Sequence, residues 1–478
     1  MLKHTLRKIT LAVILASCSL TPINFAHANT SQNQTAVEVH QALAKETYTL
    51  GVNAYLWGST LVRMEQISRQ YTDMSQPLAD TSYRAPLNQF GHARRLSSPA
   101  DKDMPTANRD TLYSSAILDL SQEPLVLSVP DVTDRYFVIN MFDMWHNLFK
   151  YVGTRETGSL AKQFLIVPPG WKDNGTAPRN LTIVESPTTK AWLWGRTQVF
   201  GEQDYTTANA IQDQYTLTPL SQYTGETTSL VEFTSLPPRP GQQDDPLRFF
   251  VELGEYLKTN PLPTRQQALA GQFAKIGLTT EHGFDRSAIT PAMEKSLTKA
   301  IEDGQKIVNA QAANPGNLEM KDGWVYAFSL DSFGDDNAMR SLIAHPYLGG
   351  QGPKEAIYPM AATDATGMPL SGTNNYVMKF DGEPPVGAFW SVTVYDAKSK
   401  LLIDNAINRY NINDLTDINK HQDGSFEIHF SSKKPNGVNA KNWLPTPNGP
   451  FYVLTRLYIP SKEVLEMSWT VPGLDQVN

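Results

Sequence analysis

The last 120 or so residues constrain the fold most. From Tyr376 to Pro460 the chain runs through YVMKF, PPVGAFWSVTVYD, NRY, DGSFEIHF and NWLPTPNGPFYVLTRLYIP. These short runs are rich in β-branched and aromatic residues, and Pro, Gly, Asn and Asp break them at close intervals. Such spacing leaves no room for crossover helices, so the strands must pair antiparallel in a small all-β domain. Trp, Asn, Arg and Tyr fall where its strands meet its loops.

Upstream the texture changes twice. Val37, Leu43, Tyr48, Leu50, Tyr55, Leu56, Leu61 and Met64 give a helical apolar stripe from Val37 to about Arg69. Gly51 and Gly58 would weaken an isolated helix, which points to close packing there. After a loop-like region from Tyr71 to Asp110, strands are expected at 113–118, 125–129, 136–142, 148–152, 163–167, 181–184 and 191–197. A short helix is expected over Tyr205 to Leu217. The SLPPRPG stretch at 235–241 marks a boundary, and helical periodicity then covers 245–277 and 288–313. Trp324 begins the second β region. The expected fold class is mainly β with helical insertions (α+β): two antiparallel jelly-roll or sandwich-like domains joined by a helical section. The expected limits are 37–235, 236–320 and 321–478, after a polar, mobile leader at 29–36.

At 478 residues two domains are the natural division. A net charge of −7 argues against nucleic acid, which needs a clustered basic face. Residues 1–28 read as a signal peptide: Lys3, Arg7 and Lys8, an apolar stretch from Ile9 to Leu20, then Ala26-His27-Ala28 before the cut. Leu15-Ala16-Ser17-Cys18 also fits a lipobox, with Cys18 as a lipid anchor. Both readings send the chain to the bacterial envelope, periplasmic or secreted in one and anchored in the other. With Cys18 the only cysteine, disulfides and thiolate chemistry are not expected in the folded body.

Two stretches resemble known families. AYLWGSTLVRMEQ (54–66) and NRDTLY (108–113), leading into Leu118-Asp119-Leu120, are similar to the domain of unknown function 1254. DATGMPLSG (364–372), FWSVTVYD (389–396), Asn408-Arg409-Tyr410, Asp423-Gly424-Ser425 and Asn442-Trp443-Leu444-Pro445 are similar to the domain of unknown function 1214. The resemblance implies jelly-roll-like domains and frequent envelope targeting, and it implies no activity.

Three sets of residues are candidates for chemistry. Asn108, Arg109, Asp110 and Tyr113 lie where a loop enters a strand. There Arg109 can grip an anion with its planar fork and Asp110 can orient it or act as a base. The same side chains can instead tie an irregular segment together. On the strand at 136–142, alternation puts Tyr136, Val138, Asn140 and Phe142 on one face, and an amide on an apolar face needs a partner. His146 is itself a candidate base, either Tyr113 or His146 can assist Asp110, and Arg155 ends the next strand. In the C-terminal domain Trp390, Arg409 and Trp443, with Tyr395, Asn408, Tyr410 and Asn442, suit a sugar-like ligand, or equally the plugs of a sandwich core. No HxH, HExxH, GxSxG, Walker or GxGxxG pattern is present, so no metal and no cofactor is expected. The functional expectation is an exported protein that binds a small polar or carbohydrate-like ligand, with a hydrolytic or eliminating step on that ligand left open. The alternative is a non-catalytic recognition protein that uses its sandwich surfaces.

Overall fold

The structure is a computed structural model, and it describes residues 25–77, 83–102, 105–175, 177–226, 236–313, 318–345 and 347–477. Cys18 and the leader up to residue 24 lie outside these. Helix α1 (Phe25–Thr72) contains no proline and no glycine before Gly51, so nothing interrupts it over 29–36. The segment expected as a mobile leader is the N-terminal part of this helix.

Strands β1 (Gly91–His92) to β9 (Thr216–Pro219) build the first sandwich. In one sheet β2 (Thr111–Asp119), β8 (Lys190–Gln198), β4 (Phe137–Asp143) and β5 (Leu148–Gly153) follow β1 in that order. In the other, β7 (Thr182–Glu185), β6 (Lys162–Val167) and β3 (Leu125–Val129) lead to β9. Leu118, Ile139 and Leu193 from the first sheet pack on Leu127, Phe164 and Ile166 from the second. Two pairings depart from the antiparallel expectation and run parallel, β6 with β7 here and residues 429–431 with 443–445 in the second sandwich. Helix α2 (Tyr205–Gln212) is shorter than expected, because Thr216 to Pro219 pair with β3. Helix α3 (Leu220–Tyr223) follows directly.

The middle section holds α4 (Arg248–Leu257), α5 (Gln267–Gln272), the hairpin β10 (Leu278–Thr279) and β11 (Gly283–Phe284), and α6 (Pro291–Ala313). Pro261 and Pro263 break the helical run expected over 245–277. These helices do more than link two sandwiches, for they pack on α1 as a layer. A Cβ on Gly58 would sit 2.3 Å from Leu253 of α4, and one on Gly51 2.7 Å from Ala300 of α6. The close packing expected at both glycines is there.

The second sandwich follows, with β12 (Glu319–Lys321), β13 (Trp324–Tyr326), α7 (Asn337–Ala344), β14 (Ala356–Ile357), β15 (Met360–Ala361), β16 (Asn375–Phe380), β17 (Trp390–Asp396), β18 (Asn411–Asn413), β19 (Phe426–Ser431), β20 (Trp443–Pro445), β21 (Phe451–Tyr458), α8 (Lys462–Leu465) and β22 (Asp475–Val477). Its larger sheet runs β12-β13-β15-β21-β17-β18 and its smaller β20-β19-β16-β22, around Trp390, Val392, Phe426 and Phe430. The result is a mixed α+β molecule of antiparallel sheets and helices. Among the described residues no helix is long and apolar enough to cross a membrane.

Two partners share the outward face of the β2-β8-β4-β5 sheet. At one end Phe142, Trp145 and Trp192 pack with Trp57 and Leu253 of the helical layer. At the other, Tyr136 and Val138 pack with Ala356, Phe389 and Tyr458 of the second sandwich. Each such ring removes roughly 150–250 Å² from water, about 4–6 kcal/mol at ~25 cal/mol/Å². The face is therefore held by apolar burial, against which an exposed ion pair at about 0–1 kcal/mol is minor.

Candidate ligand site between the two sandwiches

The polar residues of this face gather where the helical layer stops and the second sandwich begins. Alternation along β2, β8 and β4 brings Tyr113, Trp194, Arg196, Tyr136 and Asn140 to one side. Tyr113 pairs with Arg196 across strands, and Asn140 with Trp194. On β21 of the facing sheet the same alternation presents Tyr452, Arg456 and Tyr458, and on β17 Ser391, Thr393 and Tyr395.

Arg196 is the unusual residue. It is 7% exposed, and its one hydrogen bond among the described residues runs from Nη2 to the Gly349 carbonyl at 3.3 Å. Its Nε is buried and unpaired, and it has no ion-pair partner among the described residues. The guanidinium lies 5.3 Å from the centre of the Tyr113 ring, which stacks on Trp194 at 4.5 Å. Burial pushes its pKa down, but the oxygens of Tyr358, Tyr458, Tyr113 and Tyr136 more than offset this and raise it. Arg196 therefore stays charged, and a buried charge without a partner costs several kcal/mol. Other donors around it are also unpaired: Asn140 Nδ2, Trp194 Nε1 and the Tyr458 hydroxyl are buried without a hydrogen bond.

A loop from the second sandwich closes the site. Gln351 Nε2 donates to Asn140 Oδ1 (3.3 Å) and to the Tyr136 hydroxyl (3.4 Å), while its Oε1 accepts from the Tyr358 hydroxyl (2.6 Å). Tyr136 in turn donates to Glu355 (2.8 Å), whose other oxygen accepts from Arg155 Nε (2.5 Å). Burial raises the pKa of Glu355, with the Tyr136 and Arg155 hydrogen bonds opposing. Gly349 has φ 74°, and a Cβ there would sit 3.0 Å from both Trp192 and Trp194. Its N–H donates to His146 Nε2 (3.1 Å). His146 thus carries its proton on Nδ1, and burial, then the Arg340 charge, depress its pKa to about 3.

The Asn108-Arg109-Asp110 segment fastens the two sandwiches. Asn108 Oδ1 accepts from the backbone N–H groups of Asp110 (2.9 Å) and Thr111 (2.8 Å), and its Nδ2 donates to the Tyr113 hydroxyl (2.8 Å). Arg109 donates to the Ser97 carbonyl (2.5 Å) and lies over Tyr410 at 5.0 Å. Asp110 accepts from Ser391 Oγ (2.6 Å), Asn411 Nδ2 (2.8 Å) and Asn413 Nδ2 (3.1 Å). Burial raises its pKa, and nearby Arg456 and these donors counter the rise. Arg456 itself bonds Thr393 Oγ1 (3.0 Å), the Tyr395 hydroxyl (2.8 Å) and the Thr106 carbonyl (2.9 Å).

Tyr113, Tyr136, Asn140 and His146 thus stand in or beside one site, with Arg155 behind Glu355. The C-terminal trio is not brought to it. Trp390 lies on the core side of β17 beside Phe380 and Phe426, its Nε1 bonded to Glu383 (2.6 Å). Arg409 holds the carbonyls of Ala440 and Trp443, and Trp443 Nε1 that of Ser431. Sequence reasoning passed over Arg196, Gln351, Glu355, Tyr358, Arg456 and Tyr458. A signal for two of them existed. In WLWGR and YVLTRLY the period-2 alternation puts an arginine on the same side as aromatic rings, and such a charge in mid-strand needs a partner across the sheet.

The fold and this site define a class, double β-sandwich proteins with a helical layer and a buried arginine between the sandwiches. Residues 87–219 match the family described as protein of unknown function (DUF1254), and residues 355–462 the one described as protein of unknown function (DUF1214). The two matches stand along the chain in the order its motifs suggested. It is similar to a crystallised protein from Vibrio parahaemolyticus, with 24% identity and a TM-score of 0.68 over 90% of this chain and 100% of that one. That likeness shows a shared fold. A putative uncharacterized protein from Burkholderia cenocepacia is 13% identical, with a TM-score of 0.43 over 93% of this chain and 97% of that one. Among curated proteins none matches the sequence.

Proposed function

We propose that this protein binds a small polar ligand through an anionic group held at Arg196, between the two sandwiches. The observation that carries the reading is a buried guanidinium without a carboxylate, ringed by unpaired donors. An oxyanion supplies the acceptors that this set lacks, and hydrogen bonds between charged groups are about twice as strong as neutral ones. The tyrosine and tryptophan rings around it suit the flat or apolar part of the same molecule. The reading is one of binding. For a hydrolytic or eliminating step Asp110 is a poor base, since its two oxygens already accept three hydrogen bonds.

Thermal shift with benzoate, phosphate, glucuronate and glucose tests it. The anions are expected to raise the melting temperature and glucose to leave it unchanged. Arg196→Met should abolish the shift while the unliganded variant melts no lower, because replacing a buried unpaired charge by an apolar chain is neutral or stabilising. A variant that keeps the full shift would refute the reading.

A further inference from the structure

A second guanidinium without a counter-ion stands along the same aromatic wall. Arg63 of α1 has a buried Nε with no hydrogen bond, and it makes no ion pair among the described residues. One turn earlier on the same helix face, Thr60 is fully buried and its Oγ1 has no partner. His345, just past α7, adjoins Arg63. Its pKa is depressed to about 4 by burial and then by the Arg63 charge, so it is neutral at pH 7 and brings no second cation.

Aromatic rings connect the two arginines. The ring of Tyr71, whose oxygen lies in the field of Arg63, is 5.4 Å from that of Tyr83, edge to face. Tyr83 stands 4.9 Å from Trp194, and Trp194 stacks on Tyr113 beneath Arg196. Rings in unbroken contact, with a partnerless cation at each end, match a molecule built in the same order. We infer that the ligand is an elongated dianion, with a flat apolar body along Tyr83 and Trp194, one anionic group at Arg196 and the second at Arg63. The inference rests on the proposed anion site at Arg196 and adds the second pole.

Calorimetric titration of the full chain with biphenyl-4,4′-dicarboxylate and biphenyl-4-carboxylate tests it, since the two differ by one carboxylate on one body. The dicarboxylate should bind about tenfold or more tightly, the worth of one charge-assisted pair. Arg63→Met should erase that ratio, and Arg63→Lys should keep part of it. Arg196→Met should weaken both compounds. Equal affinities in the native protein, or a ratio untouched by Arg63→Met, would overturn the second pole while leaving Arg196 in place. No binding of either compound, with no benzoate shift in the native protein, would remove both readings.

Discussion

Arg196 and His146 are linked through one glycine. The Gly349 carbonyl receives Arg196, and the Gly349 N–H bonds the imidazole that must stay neutral to accept it. His146 faces Phe142, Trp192 and Phe333 and feels the Arg340 charge, so nothing nearby stabilises an imidazolium. Its folded pKa, about 3, lies below the ordinary 6.5 of the unfolded chain. Above pH 6.5 both states are neutral and the contribution is complete. As the pH falls toward 3 the unfolded chain takes up a proton that the folded one refuses, and stability falls by about 1.4 kcal/mol per unit. His146→Asn removes the titration, and asparagine tolerates the left-handed φ of 58° at this position. Urea midpoints measured from pH 7 to pH 4 should fall more steeply for the native protein than for the variant. Parallel curves would show that His146 is not the group concerned.

Among the elements, the helices depend on glycines chosen for contact. Gly254 of α4 lies against the β10–β11 hairpin, where a Cβ would come within 2.4 Å of the Phe284 backbone nitrogen. Alanine gains about 1 kcal/mol of helix propensity, but overpacking against backbone costs about 1–3 kcal/mol. Gly254→Ala should therefore lower the thermal midpoint, and a raised midpoint would mean that the hairpin yields. The elements were legible in the sequence in proportion to their locality. The strand at 125–129 was read to the residue, because turn residues flank a run that is apolar except for Ser128. The helix read through Leu217 was too long, because its last residues join a strand 90 positions upstream, a pairing that no local period records. Alternation showed that Tyr136 and Asn140 share a face, and that reading holds. It gave no sign that Gln351, 211 positions away, would meet Asn140.

For the whole molecule, Asp110 is one of the polar residues that fix one sandwich to the other. The Asn-Arg-Asp motif stood out in the sequence as polar residues at a loop-to-strand junction. Its partners Ser391, Asn411 and Asn413 could be named only once β17 and β18 were seen to face it. Asp110→Ala leaves those donors unpaired and takes away the carboxylate nearest Arg456, a loss of about 3–5 kcal/mol by analogy with broken buried pairs. Its urea midpoint should drop sharply, and a drop under about 1 kcal/mol would mean that the apolar contacts of Tyr136, Phe389 and Tyr458 hold the sandwiches alone.

The junction of the sandwiches is also where the ligand is placed, and a crystal soaked with 4-iodobenzoate examines that placement directly, since iodine scatters anomalously. One strong anomalous peak is expected beside Trp194 and Tyr83, with the carboxylate against Arg196 and the Tyr458 hydroxyl. Iodine bound only elsewhere, with no carboxylate within hydrogen-bond reach of Arg196, would contradict that placement.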